Sequence, residues 1–94
     1  MRNEISAKAA ALVISQAFAP LRCGAEEFDY HRFVRFRVFD THDESLLHME
    51  KLTAMDFGSF RSLEFIIGHA RSNLARRGFE LSPWQMPSEI PHAS

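Results

Sequence analysis

Cys23, five histidines and two glutamates, Glu26 and Glu50, are the side chains here whose types could do chemistry, so their spacing is tested first. A cysteine nucleophile needs a thiolate, and therefore a neighbouring imidazole or a positive environment. Cys23 lies in an alternating stretch, R-C-G-A-E, on the side that carries the apolar residues, and reads as a small buried hydrophobe. His31, His42, His48, His69 and His92 are scattered along the chain in no recognised metal spacing. His42 and Asp43 are an adjacent pair of potential ligands, in a polar turn that reads as solvated. Glu26 and Glu50 could be an acid–base pair, but the strand pairing derived below puts Arg35 between them, and an ion-pair row is the better account. No glycine-rich phosphate loop, nucleophile elbow or nucleotide motif is present. The expectation is a protein that is not an enzyme, with no cofactor, no metal and no small-molecule substrate.

The elements that must position these residues follow from periodicity. NEISAKAAALVISQAF, residues 3–18, is alanine-rich, starts at a capping Asn3 and stops before Pro20, which predicts a first helix. Its apolar residues form two stripes, so it must be covered on two sides or self-associate. From Arg22 to Thr53 the period changes to two, broken by the polar clusters DYHR and THDE, which predicts three strands. If both breaks are four-residue hairpin loops, paired residue numbers sum to 61 across the first hairpin and to 85 across the second. That register makes an apolar inner face of Val38, Phe36, Leu47, Met49, Ala25 and Cys23. On the outer face it puts Glu26, Arg35 and Glu50 in one row, Phe28, Phe33 and Leu52 in another, and Phe39 opposite Leu46. A second long helix is expected over 59–77, capped by Ser59, with Arg76 and Arg77 in its last turn and Gly78 beyond it. Its core stripe is Leu63, Ile66, Ile67, Ala70 and Leu74, with Phe65 on another face.

The fold class expected is therefore α+β: helix, three-stranded antiparallel meander, helix, with both helices on one face of the sheet. At 94 residues the chain forms a single domain burying about 65% of its unfolded surface. That domain is expected over 1–81, followed by a proline-rich, extended and poorly ordered tail over 82–94. No run approaches the ~20 apolar residues of a bilayer span, there is no secretory leader pattern, and the single cysteine fits a reducing compartment. A cytoplasmic protein without membrane contact is expected.

The residues also look like something known. ISQAFAPLRC, VRFRVFD, LHMEKL and RSLEFIIGHARSNL, in this order, are similar to a family of short pseudomonad proteins labelled domain of unknown function 1652 (DUF1652). The resemblance covers about residues 5–75. Its most specific pieces are Phe18, Pro20, Leu21 and Cys23, then Phe39 and Asp40, then Arg61 and Arg71. The chain departs from the pattern in its longer THDES turn, in Lys51 where a glycine is usual, and in its tail. The resemblance supports the architecture and brings no activity with it.

Charge decides between the remaining function classes. The net charge is −1, with a sequence pI near 6.5. Residues 22–57 carry −3 and residues 58–81 carry +2. A nucleic-acid binder concentrates positive charge against phosphates, which this balance opposes. The element order is that of a double-stranded RNA-binding domain, but the second helix starts with DFGSFR instead of a basic patch. Arg32, Arg35, Arg37, Arg71, Arg76 and Arg77 remain candidate contacts to RNA or single-stranded DNA, with the alternation of arginine and phenylalanine suited to stacked bases. An apolar face crossed by both signs of charge fits protein contact better. The first expectation is a small regulatory or binding protein acting through protein–protein contact, as a homodimer. Its interface residues are Phe28, Phe33, Arg35, Arg37, Phe39, Leu46, Glu50 and Leu52 on the sheet, with Phe65 on the second helix. The competing expectation is that the tail, through Trp84, Met86 and Ile90, folds over the same face. Nucleic-acid binding is the second reading, and an uncharacterised enzyme the third.

Overall fold

A computed structural model of the chain describes residues 5–89. The order is α1 (Ala7–Ser15), β1 (Arg22–Phe28), β2 (Phe33–Phe39), β3 (Ser45–Leu52), α2 (Ala54–Phe57) and α3 (Phe60–Arg76). The strands form one antiparallel meander in the order β1-β2-β3. Val34, Phe36 and Val38 are buried in one core with Ile14, Phe18, Leu63, Ile67 and Leu74, so α1 and α3 share the inner face of the sheet. This is the expected α+β architecture. Phe18, fully buried after α1, stacks on Phe36 with ring centres 5.7 Å apart and ties the helix layer to the middle of the sheet.

Helix ends follow capping chemistry. Ser6 caps α1, its hydroxyl accepting from the Ala9 N–H at 3.1 Å, and the helix ends at Ser15, short of the expected Phe18. The expected cap Asn3 lies outside the described residues. α1 packs on β1 and β2 and shares the core with Met86, while Leu12, Val13 and Gln16 line a hollow with Trp84, Gln85 and Pro87 of the C-terminal segment. Ser59 caps α3 as expected, and Gly78 after it takes the left-handed conformation at φ 96°. The short α2 was not expected. Its signature is Thr53-x-x-Asp56, in which the Asp56 carboxylate accepts from the Thr53 N–H at 2.8 Å.

The β1–β2 register holds over all seven pairs from Arg22–Phe39 to Phe28–Phe33. The connecting turn runs through three successive left-handed residues, Asp29, Tyr30 and His31, with the His31 ring against the Glu27 carboxylate. The β2–β3 register is corrected at both ends. Its middle is as expected, Phe36 opposite Met49 and Val38 opposite Leu47, but Phe39 faces Ser45 and Val34 faces Leu52. At the hairpin the Asp40 carboxylate accepts from the N–H groups of His42 (2.8 Å) and Glu44 (2.9 Å), and this tightened turn brings Ser45, not Leu46, opposite Phe39. At the other end Glu50 and Lys51 both face solvent, one residue more than strict alternation allows. The extra residue turns Leu52 inward, where it is 4% exposed. Leu46 and Leu52 therefore do not belong to the outer face; Leu46 packs half-buried against the core.

The proline-rich segment runs without helix or strand through Glu89 and does not cross the sheet. Arg71 ties it down, donating from Nη1 to the Ala17 carbonyl and from Nη2 to the Ser82 carbonyl, both at 2.7 Å. The Ser82 N–H donates to the Ala19 carbonyl at 2.8 Å. Met86 is buried in the common core and Trp84 packs against it, so the packed unit extends past residue 81. The segment covers α1 rather than the outer sheet, which corrects the tail-over-sheet expectation as far as the described residues reach; Ile90 lies beyond them.

Candidate functional site

Alternation along β1 and β2 sends Arg22, Gly24, Glu26 and Phe28, and Phe33, Arg35, Arg37 and Phe39, to the outer face. His48, Glu50 and Lys51 join them from β3. The face is open to solvent, with a shallow depression of about 490 Å³ whose lining includes Gly24, Glu26, Arg35, Arg37, Phe39 and His48.

Its phenylalanines are not bare. The Arg22 guanidinium lies 4.1 Å from the centre of the Phe39 ring, Arg35 lies 4.7 Å from Phe28, and Arg32 and Lys51 lie 5.4 and 4.3 Å from Phe33. Each ring is half-buried beneath a cation, an attraction worth about 0.5–1 kcal/mol at an exposed site. Phe28 and Phe33 also touch, with centres 5.5 Å apart. The expected apolar rows of the outer face are thus aromatic rings roofed by positive charge.

The cations in turn meet carboxylates. Arg35 Nε donates to Glu26 Oε2 at 2.6 Å, and Arg22 Nη2 donates to Asp43 Oδ1 at 2.9 Å. Arg32 lies 4.0 Å from Asp29. Glu50, expected to flank Arg35, lies instead 3.3 Å from His48 Nε2. Arg37 sits between Gly24 and His48 and has no carboxylate within ion-pair distance among the described residues. Asp40, at the end of the same face, has its carboxyl held below the usual range by the Glu44 N–H and then by His42.

The other candidates are dispersed. Phe65 is 71% exposed on α3 and stacks on His69 with centres 5.9 Å apart, a surface separate from the outer sheet. Of the arginines considered for phosphate contact, Arg32, Arg35 and Arg37 lie on the sheet side. Arg71 is engaged with two backbone carbonyls, and Arg77 donates to the Leu46 carbonyl at 2.6 Å. Arg76 is exposed near the end of α3. The six do not form one patch. Cys23 is on the inner face opposite Val38, and burial pushes its thiol up to about 12, so it carries no thiolate at neutral pH. Among the described residues no three His, Cys, Asp or Glu side chains gather into a metal site, and no helix is long and apolar enough to cross a membrane.

Arg22 and Lys51 belong to the face and were missed from sequence. The Arg22–Phe39 pairing follows from the first hairpin register alone, whereas Lys51 reaches Phe33 because of the extra residue in β3. Comparison of the chain with protein-family models, with curated proteins and with solved structures finds no match.

Proposed function

We propose that this chain is a non-enzymatic binding protein that acts through protein–protein contact in the cytoplasm, associating with a second copy of itself through the outer face of the sheet. The observation that carries the reading is that face: three aromatic rings, each beneath a cation, with Glu26 and Asp43 bound to two of those cations, open across the sheet. Aromatic and arginine side chains are the groups on which protein interfaces concentrate binding energy, and a patch holding both signs of charge suits another patch of the same kind. The non-enzymatic part is supported by the protonated Cys23 thiol and by the engagement of Glu26 with Arg35 and of Glu50 with His48. Membership of the DUF1652 family belongs to the same proposal.

The test is the mass of the native protein by sedimentation equilibrium, for the wild type and for Phe33→Asp. The expected result is a dimer that Phe33→Asp converts to a folded monomer. An unchanged mass in the variant overturns the sheet-face reading. The second reading, binding of single-stranded nucleic acid, is favoured by Arg37, a cation beside Phe39 on the outer face with no carboxylate within ion-pair distance among the described residues. Salt-dependent binding of a labelled oligonucleotide that Arg37→Ala weakens supports it, and no binding at low salt removes it.

A further inference from the structure

The regular ladder between β1 and β2 makes the outer face complementary to itself in one particular arrangement. We propose that two copies pack face to face about a twofold axis running parallel to the strands along the β1–β2 seam; this rests on the self-association reading above.

An axis in the interface, parallel to the strands and above the seam, keeps each residue at its height along the strand and exchanges left for right. Every outward residue of β1 then faces the partner's copy of the β2 residue to which it is already paired. In this fold those pairs are chemically complementary row after row. Glu26 is paired with Arg35, so each Glu26 faces the second copy's Arg35. The four charges form a quadrilateral in which all neighbours are opposite and like charges lie only on the diagonals. Arg22 is paired with Phe39, so each guanidinium gains a second ring. Phe28 is paired with Phe33, so four rings, together with the cations that lie over them, gather at one end of the seam.

The remaining row supplies shape. Arg37 is paired with Gly24, where a side chain would meet nothing within 4 Å. Across the axis the long Arg37 side chain of each copy enters the depression at Gly24 of the other, a projection meeting a hollow. The β2–β3 seam does not offer the same match, because its register shifts at both ends while the β1–β2 ladder is unbroken over seven pairs.

Size sets the strength. About this axis only β1 and β2 of each copy overlap, a flat area of about 220 Å² per copy, which makes the pair a weak, transient contact well below the standard size of a specific interface. The dimer is therefore weak and concentration-dependent, and is sought at high protein concentration.

The experiment is sedimentation equilibrium of the full chain as wild type, Glu26→Arg, Arg35→Glu, and an equimolar mixture of the two variants, with circular dichroism confirming the fold of each. Alone, each variant brings two like-charge pairs together across the axis and is expected to be monomeric. Mixed, every intermolecular pair is opposite again: Arg at 26 of one copy faces Glu at 35 of the other, and the unchanged Glu26 of the second faces the unchanged Arg35 of the first. The mixture is expected to recover a one-to-one dimer at near wild-type strength. Repair within a single chain cannot produce this result, because the pair inside each variant remains like-charged. Glu26→Gln and Arg35→Gln, which create no like-charge pair, are expected to weaken the wild-type dimer about tenfold each, so an unfolded reversal variant does not end the test. A wild-type dimer whose variants stay dimeric, or whose mixture stays monomeric, overturns the seam axis and leaves self-association standing. A monomeric wild type overturns both, and one carrying nucleotide-sized adducts turns the reading to nucleic acid.

Discussion

The Lys51 ammonium lies 4.3 Å from the centre of the Phe33 ring, on the outer face, while the next residue, Leu52, is buried against Val34. Two neighbours in sequence serve opposite faces because β3 carries one residue more than β2 between Phe36–Met49 and Val34–Leu52. The shift lets a leucine close the core at the sheet's end and leaves a cation over the ring beside it.

That arrangement predicts an asymmetry between the two positions. Leu52→Ala is expected to destabilise the fold by about 3 kcal/mol, and Lys51→Ala by less than about 1 kcal/mol. Urea unfolding of both variants checks it; comparable losses at the two sites would contradict the shifted register.

The first hairpin stores backbone strain. Tyr30 is held at φ 57° between two other left-handed residues and its side chain is 90% exposed, so the conformation is set by the turn and not by packing of the ring. Tyr30→Gly removes a left-handed penalty of about 1–2 kcal/mol and adds about 0.5–1 kcal/mol of unfolded-chain freedom. A net gain of about 0.5–1 kcal/mol is expected, read as a thermal midpoint a few degrees higher.

Arg71 joins two remote stretches through the Ala17 and Ser82 carbonyls, with its guanidinium 5.9 Å from the Trp84 ring centre. Arg71→Ala removes two charge-assisted bonds and is expected to cost about 2 kcal/mol. The single tryptophan reports the local change: its emission should move to the red, and cleavage after residue 82 should accelerate, before the rest of the chain unfolds. Unchanged emission and cleavage would show that the segment is held without Arg71, by Met86, Trp84 and the Ser82–Ala19 hydrogen bond.

Cys23 makes stability fall in alkali. Burial raises its thiol from 9.0 in the exposed state to about 12, so between those values the folded chain keeps a proton that the unfolded chain has released. Its contribution is complete below pH 9 and is lost as pH rises towards about 12. Comparing wild type with Cys23→Ala across that window isolates the effect from other alkaline titrations. The wild type should lose stability more steeply, and its thiol should resist a disulfide reagent at neutral pH until urea is added.

What could be read from the residues divides by distance along the chain. The β1–β2 register follows from strict alternation and one short polar turn, and Ser59 and Gly78 mark the ends of α3 by their own backbone chemistry. The ends of β3 depart from simple alternation because Leu46-Leu47 and Glu50-Lys51 break the period of two, and a period alone does not say on which side of such a break the register shifts. α2 spans four residues, too few for helical periodicity, although Thr53-x-x-Asp56 announces it. The destinations of Arg71 and Met86 were not legible, since both depend on packing between segments more than fifty residues apart in one case and across the whole core in the other. On the candidate face, the rings were legible and their roof was not: Lys51 arrives through the irregularity of β3, and Arg22 has to be followed across the sheet to Phe39.

The irregular β3 has one more consequence. It is an edge strand, and a regular exposed edge is a template on which strands from other molecules polymerise into fibrils. Here the ladder is out of step at both ends, and the Arg77 guanidinium already occupies the Leu46 carbonyl. Edge-on recruitment of further copies is thereby blunted along β3, one of the two edges of the sheet. In the face-to-face pair proposed above, twofold symmetry leaves no free end, so association through that face would stop at two chains instead of growing into an open polymer.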